Sequence, residues 1–239
     1  MTKRTKKRNL KIFVFLICLL PVSALAQSPS VYLCGTNTVK LNPAFPGYTP
    51  ANGDRIVWTV DGTAEAPVVY NGSNAFYQIA AGLAVGSHTY SVQVIPADAN
   101  LCPSDASDNT VVEKLPAPVI AVAAPGSTYC TDQTATTVIT ASKDASITLP
   151  AGVTMTYTWS ATLGGTAVTD ISTLGTASGS GDTFTLKAGV APGDYVFAAV
   201  GSYATGTVPI VDAATCTATA SKAITVTAKP GKATISVAP

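Results

Sequence analysis

The chain has 239 residues, of which 11% are charged, with a formal net charge of +1. Six of the 14 basic residues (Lys3, Arg4, Lys6, Lys7, Arg8 and Lys11) lie in the first eleven positions, and the rest holds eight basic against thirteen acidic residues, a net charge of −5. A weakly acidic body without a basic cluster excludes nucleic acid as a partner, because phosphate binding needs Lys and Arg gathered on one face. The single histidine, His88, argues against His-rich metal sites and His-based catalysis.

The N-terminus reads as a secretory signal peptide, residues 1–26. A basic stretch precedes the apolar run Ile12–Leu20, Pro21 follows, and Ala24-Leu25-Ala26 supplies the small-x-small cleavage pattern. The apolar run is too short for a membrane span, which needs about 20 residues. Cys18 follows Ile17 rather than a small residue, which argues against lipid attachment. Cleavage would leave four cysteines, Cys34, Cys102, Cys130 and Cys216, in an oxidising compartment, where an even count favours disulfides in one of three connectivities. No Cys-x-x-Cys pair is present, so neither zinc nor another cofactor is expected.

From Gln27 onward one pattern occurs twice. Each copy begins with a cysteine (Cys34, Cys130) and reaches one of the two tryptophans 24 or 29 residues later, in Arg55–Val60 and Met155–Ala161. A shared phrase follows. Phe76–Gly86 matches Phe184–Gly193, each ending in Gly-x-Ala-x-Gly (Gly82–Gly86, Gly189–Gly193) before an aromatic strand with Tyr90 or with Tyr195 and Phe197. A second cysteine (Cys102, Cys216) and a closing strand complete each copy. The conserved order of landmarks marks a duplication of domain size. The simplest pairing keeps one bridge per copy, Cys34–Cys102 and Cys130–Cys216. Each would close a loop of roughly 70 to 90 residues, worth about 4 kcal/mol through the unfolded state.

The strands alternate with period two. Ile56, Trp58 and Val60 share a face, as do His88, Tyr90, Val92 and Val94, and as do Met155, Tyr157, Trp159 and Ala161. This is the pattern of half-buried antiparallel strands. Asn52-Gly53, Asp61-Gly62, Asn71-Gly72, Gly164-Gly165 and Pro192-Gly193 punctuate them as turns. Seven or so short strands per copy, each with a tryptophan on a central strand, predict an all-β chain of two tandem immunoglobulin-like antiparallel β-sandwiches, residues 27–115 and 116–229. Trp58, Trp159, Tyr90 and Tyr195 are the expected core landmarks. Pro230–Pro239 repeats the Pro, apolar alternation, Pro layout of Pro116–Pro125 and is read as a linker or the first strand of a third copy, with the chain then the N-terminal piece of a longer repeat protein.

Cys34-Gly-Thr-Asn-Thr-Val-Lys-Leu41 and Leu101-Cys102-Pro-Ser-Asp-Ala-Ser107 resemble the Ig-like and PKD-like repeats of Bacteroidetes cell-surface and secreted proteins. The second copy departs from them, since Cys130-Thr-Asp lacks the glycine. The resemblance implies a secreted or surface-attached array with a structural, adhesive or ligand-display role, no catalytic residues, and an extracellular protein or glycan as partner. A carbohydrate-binding accessory region of a secreted hydrolase, or a subunit of a surface fibre, is the alternative. His88 aligns with Tyr195, near the place of the corner tyrosine of Ig-like folds, so its expected role is structural. Asp105, Asp108, Asp194 and Asp212 are too scattered to predict a calcium site. Tyr48, Tyr70, Tyr77 and Tyr203 are candidates for stacking on sugars, with ordinary packing the simpler expectation. Asn71-Gly72-Ser73 fits an N-glycosylation acceptor in a eukaryote and, in a bacterial protein, more simply a turn. The Gly- and Ser-rich stretch Ala167–Gly181 is either a binding loop or a flexible connection.

Overall fold

The computed structural model describes residues 28–235, so the expected signal peptide lies outside the described residues. The chain is all-β and folds as two Ig-like modules. The first contains β1 (Val31–Cys34), β2 (Val39–Leu41), β3 (Arg55–Val60), β4 (Thr63–Ala64), β5 (Val68–Val69), β6 (Tyr77–Ile79), β7 (Gly86–Ile95) and β8 (Thr110–Leu115). The second contains β9 (Ile120–Ala123), β10 (Thr128–Cys130), β11 (Val138–Lys143), β12 (Thr154–Leu163), β13 (Thr166–Ala167), β14 (Gly175–Ala177), β15 (Thr183–Leu186), β16 (Gly193–Ala204) and β17 (Thr217–Thr227). Residues 230–235 form no strand, and Ile235 is exposed.

The two modules share one topology. The sheet order β1-β8-β7-β3-β4 in the first is repeated as β10-β17-β16-β12-β13 in the second. In both, the leading strand runs parallel to the closing strand, β1 on β8 and β10 on β17, while the other pairs are antiparallel. Opposite lie β2-β6 in the first module and β14-β15-β11-β9 in the second. The tight hairpins β3–β4 and β12–β13 turn on Asp61-Gly62 and Gly164-Gly165, all four residues having positive φ. Two consecutive left-handed residues make the turn whose twist matches the flanking strands, which explains the glycines and the tolerant Asp.

Period two places the aromatic residues in the cores. Trp58 packs on Tyr77 (ring centroids 5.5 Å apart) and Tyr77 on Tyr90 (5.5 Å). Trp159 packs on Phe184 (5.7 Å) and Phe184 on Phe197 (5.7 Å) in the same sequence. Each indole also gives its N–H to a carbonyl in the segment entering the opposite sheet, Trp58 to Ala75 (3.0 Å) and Trp159 to Gly181 (2.6 Å). A buried indole N–H left without an acceptor would carry a desolvation cost, so this bond fixes the ring. Trp58, Trp159, Tyr90 and Tyr195 are all buried. The counterpart of Phe184 is Tyr77 rather than Phe76, because the first copy's phrase is one residue longer and the two align when counted back from Gly82 and Gly189. Phe76 lies off the core, with the Lys40 ammonium 4.4 Å from its ring centre.

The expected disulfides are corrected. The bond present joins Cys34 to Cys216, 182 positions apart with Cα atoms 5.9 Å apart, while Cys102 and Cys130 are free. Pairing within a copy fails because its two cysteines lie at opposite ends of one sheet. Cys34 pairs beside Leu115, next to Lys114, which faces Gly86 at the start of β7. Cys102 precedes Ser104, whose N–H bonds to the carbonyl of Val94 near the other end of β7. Gly86 and Val94 are eight residues apart along one strand, about 26 Å at the usual rise, whereas a disulfide needs Cα atoms within about 7 Å. The same register separates Cys130 from Cys216, through Gly193 and Gly201 of β16. The duplication nevertheless stands, since the tryptophans occupy equivalent surroundings.

Candidate functional site

The most constructed feature of the molecule is the joint between the modules. Strand β8 ends at Leu115 and β9 starts at Ile120, so only a short Pro-containing linker connects the sandwiches. The loop before β17 closes the gap. It runs back from β16 and lays its backbone along the open edge of β1: the Tyr32 N–H bonds to the Pro209 carbonyl (2.9 Å) and the Val211 N–H to the Tyr32 carbonyl (2.9 Å), forming a parallel bridge of Tyr32 with Ile210. The Asn37 amide donates to the Val211 carbonyl (2.9 Å) and accepts from the Thr215 hydroxyl (3.0 Å). Tyr203 donates its hydroxyl to the Pro116 carbonyl in the linker (3.1 Å).

Beneath these polar contacts the apolar core is continuous. Tyr32, Cys34 and Leu115 of the first module belong to the same buried cluster as Trp159, Phe197 and Cys216 of the second. Cys34 and Cys216 are each 1% exposed. The buried Lys114 reaches the Asn37 carbonyl at 3.5 Å, and burial holds its ammonium below the ordinary lysine range. Such a joint, combining main-chain pairing, a shared core and a covalent bond, fixes one module's orientation on the other.

Nothing in the sequence marks Tyr32, Leu115 or Pro209–Val211 as joint residues, and Asn37 stands out only as part of the Cys34–Leu41 motif. A signal was present: the loop cysteines end matching phrases, Asp98-Ala-Asn-Leu-Cys102 and Asp212-Ala-Ala-Thr-Cys216. Both turn alike, with the Leu101 N–H on the Asp98 carbonyl (3.1 Å) and the Thr215 N–H on the Asp212 carbonyl (3.0 Å).

His88 and Tyr195 occupy one structural role. The Tyr195 hydroxyl donates to the Ala191 carbonyl four residues back (3.0 Å), and His88 Nε2 meets the Ala84 carbonyl, also four residues back, at 3.0 Å. On its other side His88 Nδ1 lies 2.7 Å from Asp61 Oδ2. Both partners are acceptors, so the ring satisfies both only as an imidazolium. Burial opposes the charge, but the Asp61 and Ala84 hydrogen bonds outweigh it and hold the ring above its ordinary range. Asp54 is likewise structural: buried, it accepts from the Tyr48 hydroxyl (2.7 Å) and from the N–H groups of Ala97 and Ala51 (2.8 Å each), which hold it below the usual carboxylate range.

The candidate sugar-stacking tyrosines do not share a surface. Tyr48 and Tyr70 sit near Asp54, Tyr77 packs at a tilt between Trp58 and Tyr90 in the first core, and Tyr203 is at the joint. Asn71 shapes its turn by accepting from the Ser73 N–H (3.3 Å). Asp194 accepts from the Thr225 hydroxyl (2.8 Å), and the Asp212 carbonyl accepts from Thr215 (2.9 Å). Among the described residues, no three His, Cys, Asp or Glu side chains are grouped to hold a metal ion.

The stretch Ala167–Gly181 is an ordered wall rather than a flexible connection. It contains a 3-10 turn at Ile171–Thr173, capped by the Asp170 carboxylate on the Ser172 N–H (2.9 Å), and then β14, which pairs with β15. With Tyr157, Trp159, Phe184 and Lys187 it borders a groove of about 580 Å³.

No protein-family model matches the chain, and no curated protein is similar to it in sequence. Solved structures align with much of the chain at low identity. The N-terminal eight Ig domains of the Down syndrome cell adhesion molecule match 84% of this chain at 16% identity and a TM-score of 0.45, and the match spans 27% of that solved chain. Fibronectin(III)-like modules of Clostridium thermocellum CbhA match 86% of it at 12% identity and a TM-score of 0.36, over 93% of their own length. A bacterial 1.5-MDa ice-binding adhesin matches 83% at 14% identity and a TM-score of 0.41, over 60% of that chain. The sandwich assignment rests on the strand order and register described above.

Proposed function

We propose that this chain is an exported, non-catalytic structural module pair that works outside the cell, spacing or presenting an adhesive surface within an array of Ig-like repeats of the Bacteroidetes surface type. The interdomain joint carries this reading. A spacer has to keep a fixed direction from one module to the next, and that is what the Cys34–Cys216 bond, the Tyr32–Ile210 bridge and the shared core provide. The bond also suits an oxidising compartment, where such cross-links form and persist. Two side chains with acid–base chemistry are occupied structurally: His88 holds a strand corner and Asp54 ties three donors together.

Small-angle scattering tests the mechanical part. The oxidised protein should scatter as one rigid elongated particle, and a variant lacking Cys34 and Cys216 as a distribution of interdomain angles. Equal rigidity in both would remove the argument. Export is tested by terminal sequencing of protein recovered from the cell exterior, which should begin at Gln27. Recovery of uncleaved protein in the cytosol would overturn it.

A further inference from the structure

The interdomain bond takes one cysteine from each module and leaves each module's other cysteine unused. The register shows that the unused pair are counterparts of the used pair. Cys34 ends β1 beside Leu115, and Cys130 ends β10 beside Thr227. Leu115 and Thr227 follow Lys114 and Val226, which face the equivalent Gly86 and Gly193. Cys216 stands two residues before Ala218, which faces Gly201. Cys102 stands two residues before Ser104, which bonds to Val94. Val94 and Gly201 each lie two residues beyond the partner of a core tryptophan, Val92 of Trp58 and Ala199 of Trp159.

The surroundings of the unused pair match in part. Cys102 is exposed and closes an Asp-Ala-x-x-Cys turn like that of Cys216. At the other site, Asn37 and Gln133 hold the same post, each giving its N–H to the carbonyl of the cysteine three residues before it, at 3.0 and 2.9 Å. Asn37 reaches across the joint to the Val211 carbonyl; Gln133 turns its amide oxygen back to the Cys130 N–H (3.0 Å). The edge of β1 is covered by the Ile210 bridge, whereas β10 is the edge of its sheet with an exposed Thr128.

We propose that Cys130 of one copy of this chain forms a disulfide with Cys102 of a second copy, repeating between chains, head to tail, the sulfur bond that Cys34 and Cys216 make within one. Only the sulfur positions are repeated: three residues separate Val94 from Asp98 where ten separate Gly201 from Asp212, so the first module lacks the 205–211 segment that covers β1. In the first module Cys102 lies at the sheet end remote from Cys34 and the joint, and in the second Cys130 lies at the end remote from Cys216. The contact is therefore heterologous and extends into a filament instead of closing a dimer. The bond forms by exchange with a disulfide oxidant such as oxidised glutathione. The Cys130 thiolate attacks the oxidant and expels one glutathione thiol. The Cys102 thiolate then attacks the mixed disulfide and expels the second, so two protein thiols are oxidised as one small disulfide is reduced.

This inference rests on the reading of the chain as an array-forming structural module. The test is oxidation of the full secreted chain in a glutathione redox buffer, followed by non-reducing electrophoresis and mass spectrometry of unreduced peptides. A ladder of covalent oligomers containing a Cys102–Cys130 peptide is expected. Cys102→Ser or Cys130→Ser alone should abolish the ladder, and a mixture of the two variants should stop at dimers. A chain that stays monomeric while Cys34–Cys216 forms would overturn the proposal. So would a ladder that survives either variant, linkage only between like cysteines, or protein from its native cells with Cys130 bonded to any cysteine other than Cys102. Failure of the structural reading itself would appear separately, in the scattering of the Cys102→Ser/Cys130→Ser monomer.

Discussion

Replacing Cys34 and Cys216 together by alanine, in a Cys102→Ser/Cys130→Ser background that removes other thiols, isolates the covalent part of the joint. The bond closes a loop spanning 182 positions. Chain entropy assigns a closure of that size about 5 kcal/mol of destabilisation of the unfolded state. For a folded body of this size, about 5 kcal/mol corresponds to a fall in Tm on the order of 10–20 °C if both modules unfold as a unit. Both sulfurs are buried within the apolar cluster that spans the modules, so the bond should also couple their unfolding. Differential scanning calorimetry should show one transition with the bond and, without it, a lower onset with two separable transitions, the shared core contributing only Tyr32, Leu115 and residue 34 from the first module beside the Tyr32–Ile210 bridge and the Asn37 contacts. Addition of reductant to the parent protein should reproduce the variant's trace. An unchanged Tm with a single transition in both would refute the coupling argument, because the joint would then be set by noncovalent packing alone.

Other consequences are more local. His88→Tyr should keep the corner bond to the Ala84 carbonyl, as Tyr195 does with Ala191, and should flatten the pH dependence of stability. The folded-state pKa of His88 is raised above its ordinary 6.5, so the ring's contribution is complete below that value and is lost as pH rises through the folded-state value. Urea midpoints from pH 5 to 9 that are parallel in parent and variant would refute this. Phe197→Ala, at a fully buried ring packed at a tilt on Phe184, should cost about 3–5 kcal/mol by chemical denaturation. Gly181→Ala should cost about 1–3 kcal/mol from its left-handed backbone (φ +74) alone. A new Cβ there also runs into the Tyr157 carbonyl, and the shift should disturb the Trp159 hydrogen bond and its fluorescence; a variant as stable as the parent would show that this turn can relax. Lys114→Met should raise stability, since it replaces a buried ammonium whose one hydrogen-bond acceptor among the described residues is the Asn37 carbonyl at 3.5 Å; a lower urea midpoint would show that the contact is net favourable.

The all-β class, the duplication and the inward faces were legible in the sequence because they depend on short-range chemistry. Alternation with period two puts Ile56, Trp58, Tyr90, Met155 and Trp159 on buried faces wherever the strands end up. Asn, Asp and Gly select the turns through backbone conformations that other residues resist. Even the role of His88 could be read, by counting from the glycine that starts its strand. Which cysteines meet could not be read in this way. Equivalent landmarks say that Cys34 matches Cys130 and Cys102 matches Cys216, but two cysteines of one copy can bond only if the fold brings their ends together. The parallel register of β1 on β8 places Cys34 at the far end of the sheet from Cys102, and the return of the 205–216 loop over the linker delivers Cys216 in its place. Strand faces follow from each residue's immediate neighbours, whereas contact between residues 182 positions apart follows from the three-dimensional path of everything between them.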